Sequence, residues 1–277
     1  MRYGIANKDG TIPNSTEIES ILNFSKLNNI NIIDTAMSYG HSEQALGKND
    51  LSDFKIITKL PKIPEKIGNV HDWVIEKLKN SMNKLNVNKL YCLMLHRPEQ
   101  LTENDPINLL KTLKYLKDSG LVTKIGISIY SPRNLDYLSQ LDEFDIVQCP
   151  ISVLDRRMIE SGWLDLLKAK KIEIHARSCF LQGLLLMNEN ELPKNFAKWN
   201  PIWQKWNHWQ NENNCSALKG CLSFVKNIDN IDNIVVGVDS QKQLKEIIDS
   251  YNSSYLYKFP DISSTSENLI NPSLWNQ

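Results

Sequence analysis

The chain has 277 residues, with 32 Lys+Arg balanced by 32 Asp+Glu and a formal net charge of zero, so it carries no electrostatic footprint for nucleic acid. A mean hydropathy of -0.37 and the lack of a long apolar run argue against a transmembrane helix, and Met1-Arg2-Tyr3-Gly4 is not followed by an export signal. The five cysteines (Cys92, Cys149, Cys179, Cys215, Cys221) are odd in number and form no C-x-x-C pair, which predicts reduced thiols and a cytoplasmic location; the length would suit about two domains, but α/β barrels of this size form one, and a single α/β domain over residues 1–277 is expected.

In chain order, Arg2 to Asn7 and the turn-like Lys8-Asp9-Gly10 are too short for a full inward-facing strand. A helix is predicted over Thr16 to Leu27, where Ile18, Ile21, Leu22 and Phe24 share one side. Strands follow at Asn31 to Asp34 and Lys55 to Lys59, then a helix at Asp72 to Leu85 and a strand at Leu90 to His96. Pro106 to Ser119 is a helix ending at Gly120, a C-cap residue. Beyond it come strands at Thr123 to Ser128, Asp145 to Cys149, Ile172 to Ala176 and Asn233 to Gly237. They are separated by helical stretches at Asn134 to Leu141, Trp163 to Ala169 and Cys215 to Asn227, and Ser240 to Tyr251 closes the series.

Short apolar runs alternating with amphipathic stretches read as βα units and a parallel sheet. A doubly wound dinucleotide fold would need a Gly-rich turn after its first strand, and no G-x-G-x-x-G occurs. The remaining expectation is a (β/α)8 barrel whose first strand is missing or truncated. In such a barrel the strand ends share one face, and that face carries the chemistry. Asp34, Lys59 and His96 each close an apolar run, and Tyr39 follows Asp34 by five residues. Taken singly, each has a structural explanation: a helix cap, packing, or a solvated charge. Together, four polar residues at one mouth suit proton delivery to a carbonyl oxygen.

At this point the residues resemble a known family. Asp34-Thr35-Ala36-x-x-Tyr39-Gly40-x-Ser42-Glu43-x-x-Leu46-Gly47 is similar to the aldo-keto reductase signature. Lys59 in Ile57-Thr58-Lys59 and His96 in Leu95-His96-Arg97-Pro98 match that family's other catalytic motifs. Lys124-Ile125-Gly126-Ile127-Ser128, Val147-Gln148 and Val236-Gly237-Val238-Asp239-Ser240-x-x-Gln243-Leu244 resemble its cofactor segments. The resemblance runs from about Tyr3 to Ile248. It implies a (β/α)8 barrel reducing an aldehyde or ketone, with an oxidised sugar as one candidate, by means of a nicotinamide cofactor and no metal.

In that reading Tyr39 is the proton donor. A free tyrosine has a pKa of about 10 and is a poor acid at neutral pH. A lysine cation beside it favours the phenolate, and a shift of about 2–3 units corresponds to roughly 3–4 kcal/mol. Lys59 supplies the charge, Asp34 holds and balances Lys59, and His96 positions the carbonyl oxygen.

The resemblance also implies the cofactor contacts. Ser128 and Gln148 would hold the nicotinamide carboxamide, although Ile129 stands where the family commonly has Asn. Arg177 stands where an aromatic often stacks on the nicotinamide, and a guanidinium can stack on a planar ring. Ser178 and Leu181 to Gly183 would line the pyrophosphate path. Gly237 opens the last phosphate loop, and the helix starting near Ser240 offers backbone N–H groups. Many relatives grip a 2′-phosphate with a Lys and an Arg, and the aligned places here are Gly237 and Gln243. NADP is the expected cofactor and NAD the alternative. The partner expected is a small carbonyl compound, and oligomeric state is not readable.

Trp199, Trp203, Trp206 and Trp209 form a helical stripe, read as packing in preference to a substrate wall. Arg156 and Arg157 read as solvated in preference to binding an anionic substrate, and His41, His71 and His208 read as surface or structural residues. The rival function is a nicotinamide-binding regulatory protein of the same fold with little or no turnover. A metal-dependent hydrolase is disfavoured because no H-x-H or carboxylate ligand set closes a strand.

Overall fold

A computed structural model describes residues 12–103, 105–136, 138 and 141–275. The short stretch from Arg2 to Gly10, where a first strand was in question, lies outside the described residues. The chain falls into two compact units, the first comprising Pro13–Gln148 with Ala169–Glu173, the second Cys149–Lys168 with Ile174–Gln277.

The first unit is built on five parallel strands, β1 (Ile32–Asp34), β2 (Lys55–Leu60), β3 (Leu90–Leu95), β4 (Val122–Ser128) and β5 (Ile146–Pro150), paired in chain order. Its helices are α1 (Ser15–Leu27), α2 (Ser42–Leu46), α3 (Val70–Leu85), α4 (Pro106–Asp118) and α5 (Arg133–Asp136). In β2 every residue after Lys55 is buried, the pattern of a parallel strand covered on both faces. Helix α3 starts at the Asn69 cap and ends at Asn86, a left-handed residue (φ 54°), and it buries Val70, Val74, Leu78 and Leu85 on one stripe. Gly47, just past α2, sits against the end of α3. A Cβ there would lie 2.1 Å from the Lys84 carbonyl oxygen, so only glycine fits.

The sheet of this unit is strongly curled. In a flat sheet β1 and β5 would stand roughly 19 Å apart, four strand spacings. Instead Gln148 on β5 donates a 2.9 Å hydrogen bond to Asp34 on β1. The strand ends therefore converge.

The second unit carries β6 (Glu173–Arg177) and β7 (Asn233–Ile234), paired in parallel with His175 opposite Asn233. Its helices are α6 (Arg157–Glu160), α7 (Trp163–Ala169), α8 (Asn200–Glu212), α9 (Ala217–Lys226), α10 (Gln241–Asn252) and α11 (Glu267–Ile270). Trp203, Trp206 and Trp209 of α8 are buried in a core with Leu181, Leu184, Leu185, Phe196 and Trp275. Each of the three indole N–H groups donates to a main-chain carbonyl: Trp203 to Phe196, Trp206 to Leu185, Trp209 to Lys258. The stripe is packing, as the helical spacing suggests.

Two local expectations are corrected. The last strand pairs only over Asn233–Ile234, shorter than the apolar run to Gly237. Within the helix expected from Asn134 to Leu141, Arg133–Asp136 is helical and Leu141 opens a 3-10 turn, while residues 137, 139 and 140 lie outside the described residues. Arg156 and Arg157 are not solvated: Arg156 donates to the Val153 and Pro260 carbonyls, and Arg157 is paired with Asp155 and Glu267. The five cysteines are all free and buried, and burial pushes the Cys149 and Cys179 thiols up to about 12. His208 lies exposed beside Glu212, His41 beside Gln44, and His71 against Thr112 and Tyr115, all surface or structural places.

Candidate active site

Six of the residues singled out in the sequence meet in the first unit. Asp34 is the last residue of β1 and Lys59 the fifth of β2. His96 follows β3 directly. Tyr39 lies in the turn between β1 and α2 and is half-buried, as is His96.

Lys59 is the centre of the arrangement. Its side chain is 1% exposed and Asp34 is 14% exposed. Its ammonium is ion-paired with Asp34 Oδ1 and donates to the Thr35 carbonyl at 3.0 Å. A buried lysine is costly unless paired and hydrogen-bonded, and here it has both supports. Its Nζ lies 5.6 Å from the Tyr39 ring centroid. Tyr39 in turn meets the His96 ring edge-on, with centroids 5.7 Å apart and planes at 79°. Ser38 Oγ is 3.2 Å from His96 Nδ1. A cation, a phenol and an imidazole thus share one small volume at the ends of three strands.

The sequence did not reveal how Asp34 is held on its other side. Gln148 Nε2 donates to Asp34 Oδ2 at 2.9 Å, and Ser128 Oγ donates to Gln148 Oε1 at 3.2 Å. Ser128 and Gln148 are almost fully buried. The result is a side-chain relay, Ser128 to Gln148 to Asp34 to Lys59, drawn from four strands. Nearby, the buried Glu43 accepts from Thr58 Oγ1 and Ser81 Oγ, which fixes α2 and with it the Tyr39 turn.

The other five candidates lie in the second unit, in two segments. Arg177 ends β6, and its Nη1 donates to Ser178 Oγ at 3.0 Å. Ser178, Leu181 and Gln182 all have left-handed backbones, with φ of 62°, 49° and 53°. Such residues cost on the order of 1–3 kcal/mol each and concentrate at functional sites. Gly237, Ser240 and Gln243 form the loop into α10. Ser240 caps that helix by accepting from Gln243 N, and the Gln243 side-chain oxygen accepts from Asp239 N at 2.8 Å. Both side chains are thus engaged at the start of that helix.

Each segment also holds a buried acceptor with no hydrogen-bond partner among the described residues, Gln182 Oε1 in one and Asp239 Oδ1 in the other. Burial pushes the Asp239 carboxyl above its usual value. Buried acceptors of this kind are costly when left unmade, and hydroxyl or amide donors of a bound nucleotide would satisfy them. The segments therefore fit a dinucleotide chemically. Among the described residues no helix is long and apolar enough to cross a membrane, and no group of three His, Cys, Asp or Glu is placed to hold a metal ion.

Comparison with known proteins gives the family. D-arabinose 1-dehydrogenase of Saccharomyces cerevisiae is 30% identical over 141 residues, a stretch spanning 48% of this chain and 41% of that enzyme. The NADH-specific methylglyoxal reductase of Escherichia coli is 24% identical over 259 residues, covering 80% of this chain and 79% of that one. The chain thus spans under half of the first relative's length and most of the second's. In fold it is similar to an aldo-keto reductase from Bacillus halodurans in its holo form, with a TM-score of 0.73, 20% identity, and coverage of 88% of this chain and 84% of that one. The model of the aldo/keto reductase family matches residues 1–258. With that match spanning nearly the whole sequence, the chain belongs to the aldo/keto reductase family, a family of oxidoreductases that use nicotinamide cofactors.

Proposed function

We propose that this protein reduces the carbonyl group of a small molecule with a nicotinamide cofactor, Tyr39 being the proton donor. The observation that carries the reading is the buried Lys59, paired with Asp34 and 5.6 Å from the Tyr39 ring. When bound, the reduced nicotinamide supplies a hydride to the carbonyl carbon. Tyr39 Oη gives its proton to the carbonyl oxygen as charge develops there. Lys59 stabilises the phenolate left behind. At a separation of this order and an effective dielectric constant of about 20, one charge acting on another contributes roughly 3 kcal/mol. Asp34 keeps Lys59 in place and balances it in the interior. His96, held beside Tyr39, donates to the carbonyl oxygen and orients it. The family's (β/α)8 barrel is the fold we assign to this activity, seven of its strands being described.

The substrate is read as a small polar carbonyl compound, a sugar or a short aldehyde, a class supported by the names of the two relatives above. The test is direct. Titrating the purified chain with NADH and NADPH by cofactor fluorescence and then adding methylglyoxal or aldoses should give saturable binding followed by loss of cofactor absorbance. Binding without turnover on any carbonyl would replace this reading with the regulatory one.

A further inference from the structure

We infer that Asp239 selects the unphosphorylated dinucleotide, so that the protein takes NADH in preference to NADPH. The inference rests on the reductase reading above and on the loop from Gly237 to Gln243 meeting the adenosine end of the cofactor.

Three observations converge on it. The first is the orphaned acceptor: Asp239 Oδ1 is buried and has no partner among the described residues. It requires a donor. The ribose 2′-hydroxyl is one, whereas a 2′-phosphate ionised at neutral pH brings further acceptors and negative charge. The second is the state of the positions where a cation would grip that phosphate. Gly237 has no side chain, and the Gln243 side chain is folded back onto Asp239 N at 2.8 Å. The third is that Lys245, on α10, is ion-paired with Asp249 at 2.6 Å.

A carboxylate facing a phosphate is a repulsive element as well as an unmet one, and specificity is built from repulsion against the wrong partner as well as from attraction to the right one. The same logic places an acidic side chain on the ribose hydroxyl in dinucleotide folds of unrelated architecture. NADPH, which the resemblance alone suggests, is the disfavoured cofactor on this argument.

The experiment is a calorimetric titration of the full chain with NAD+, NADP+, NADH and NADPH, without substrate, repeated on Asp239→Asn and Asp239→Arg. The unmodified chain should bind NADH at least about tenfold more tightly than NADPH, equivalent to ~1.4 kcal/mol. Asp239→Asn should narrow that gap by gaining NADPH affinity, and Asp239→Arg should reverse it. Equal or tighter NADPH binding by the unmodified chain would overturn the inference and leave the reductase reading standing. So would variants that shift both dinucleotides by the same factor. If a folded chain bound none of the four, both readings would fall together.

Discussion

The Lys59 region of the first unit and the tryptophan core of the second are both dense constellations of polar or aromatic side chains, and both stand out in the sequence. They differ in what satisfies their polar atoms. Around α8 each indole N–H of the buried tryptophans ends on a main-chain carbonyl, and the rings stack on one another, Trp206 on Trp209 at 5.0 Å and 5°. Nothing ionisable takes part in those three bonds. Around Lys59 the bonds run from side chain to side chain, a full ion pair is buried, and a phenol and an imidazole are left half-exposed beside it. Main-chain satisfaction closes a core, whereas a buried charge kept next to exposed titratable groups is a device for chemistry, since apolar packing of the same volume is often no less stable.

The largest expected effect tests the chemical side of that contrast. Tyr39→Phe should lower carbonyl reduction by about 10²–10⁴-fold, the range for a positioned general acid, while cofactor affinity measured by fluorescence stays unchanged. Turnover near that of the unmodified chain would remove Tyr39 from the reaction. The converse test is Trp206→Ala. It should cost about 3–5 kcal/mol of stability in urea denaturation, because a nearly fully buried indole is deleted, and its residual folded fraction should keep the ordinary turnover per active site. A smaller effect is expected from Gly220→Ala. An added Cβ would lie 2.9 Å from both Trp206 and Trp209, and overpacking of this kind costs about 1–3 kcal/mol, read as a lower denaturation midpoint. A large change in substrate selectivity from either core variant would place the tryptophans in the site after all.

The reach of the sequence differs between levels of structure. Strands such as Lys55–Leu60 and Leu90–Leu95 were legible because they are continuous apolar runs, and Asp34, Lys59 and His96 were legible because each interrupts or ends such a run. The Asn233–Ile234 strand was overread because Val235 and Val236 continue the apolar pattern without continuing the ladder, although Val235 N still bonds the Ala176 carbonyl. The bond from Gln148 to Asp34 joins residues 114 positions apart and depends on the curl of the sheet, which no local pattern encodes. Arg156 and Arg157 looked like solvated neighbours because, beside the local Val153 and Asp155, each has a partner, Pro260 or Glu267, that comes more than 100 residues later. Asp239 left a trace, an acid between Gly237 and Gln243, neither of which is a cation, but its buried oxygen is a property of the fold alone.

The smallest predicted effect sharpens the edge of the chemical region. Ser128 can act in two ways that sequence resemblance does not separate: as a direct contact to the nicotinamide carboxamide, or through Gln148 on Asp34. Ser128 is 2% exposed, and its hydroxyl already donates to Gln148 Oε1, while Gln148 Nε2 donates to Asp34. Removing it from this relay loses one neutral hydrogen bond, worth about 1 kcal/mol. The loss loosens the carboxylate that fixes Lys59, so it should fall on the rate. Ser128→Ala is therefore expected to reduce kcat by about fivefold with the cofactor Kd unchanged, and Ser128→Thr, which keeps the hydroxyl, should restore it. A Kd that rises while kcat holds would assign Ser128 to the cofactor instead and would end the relay at Gln148.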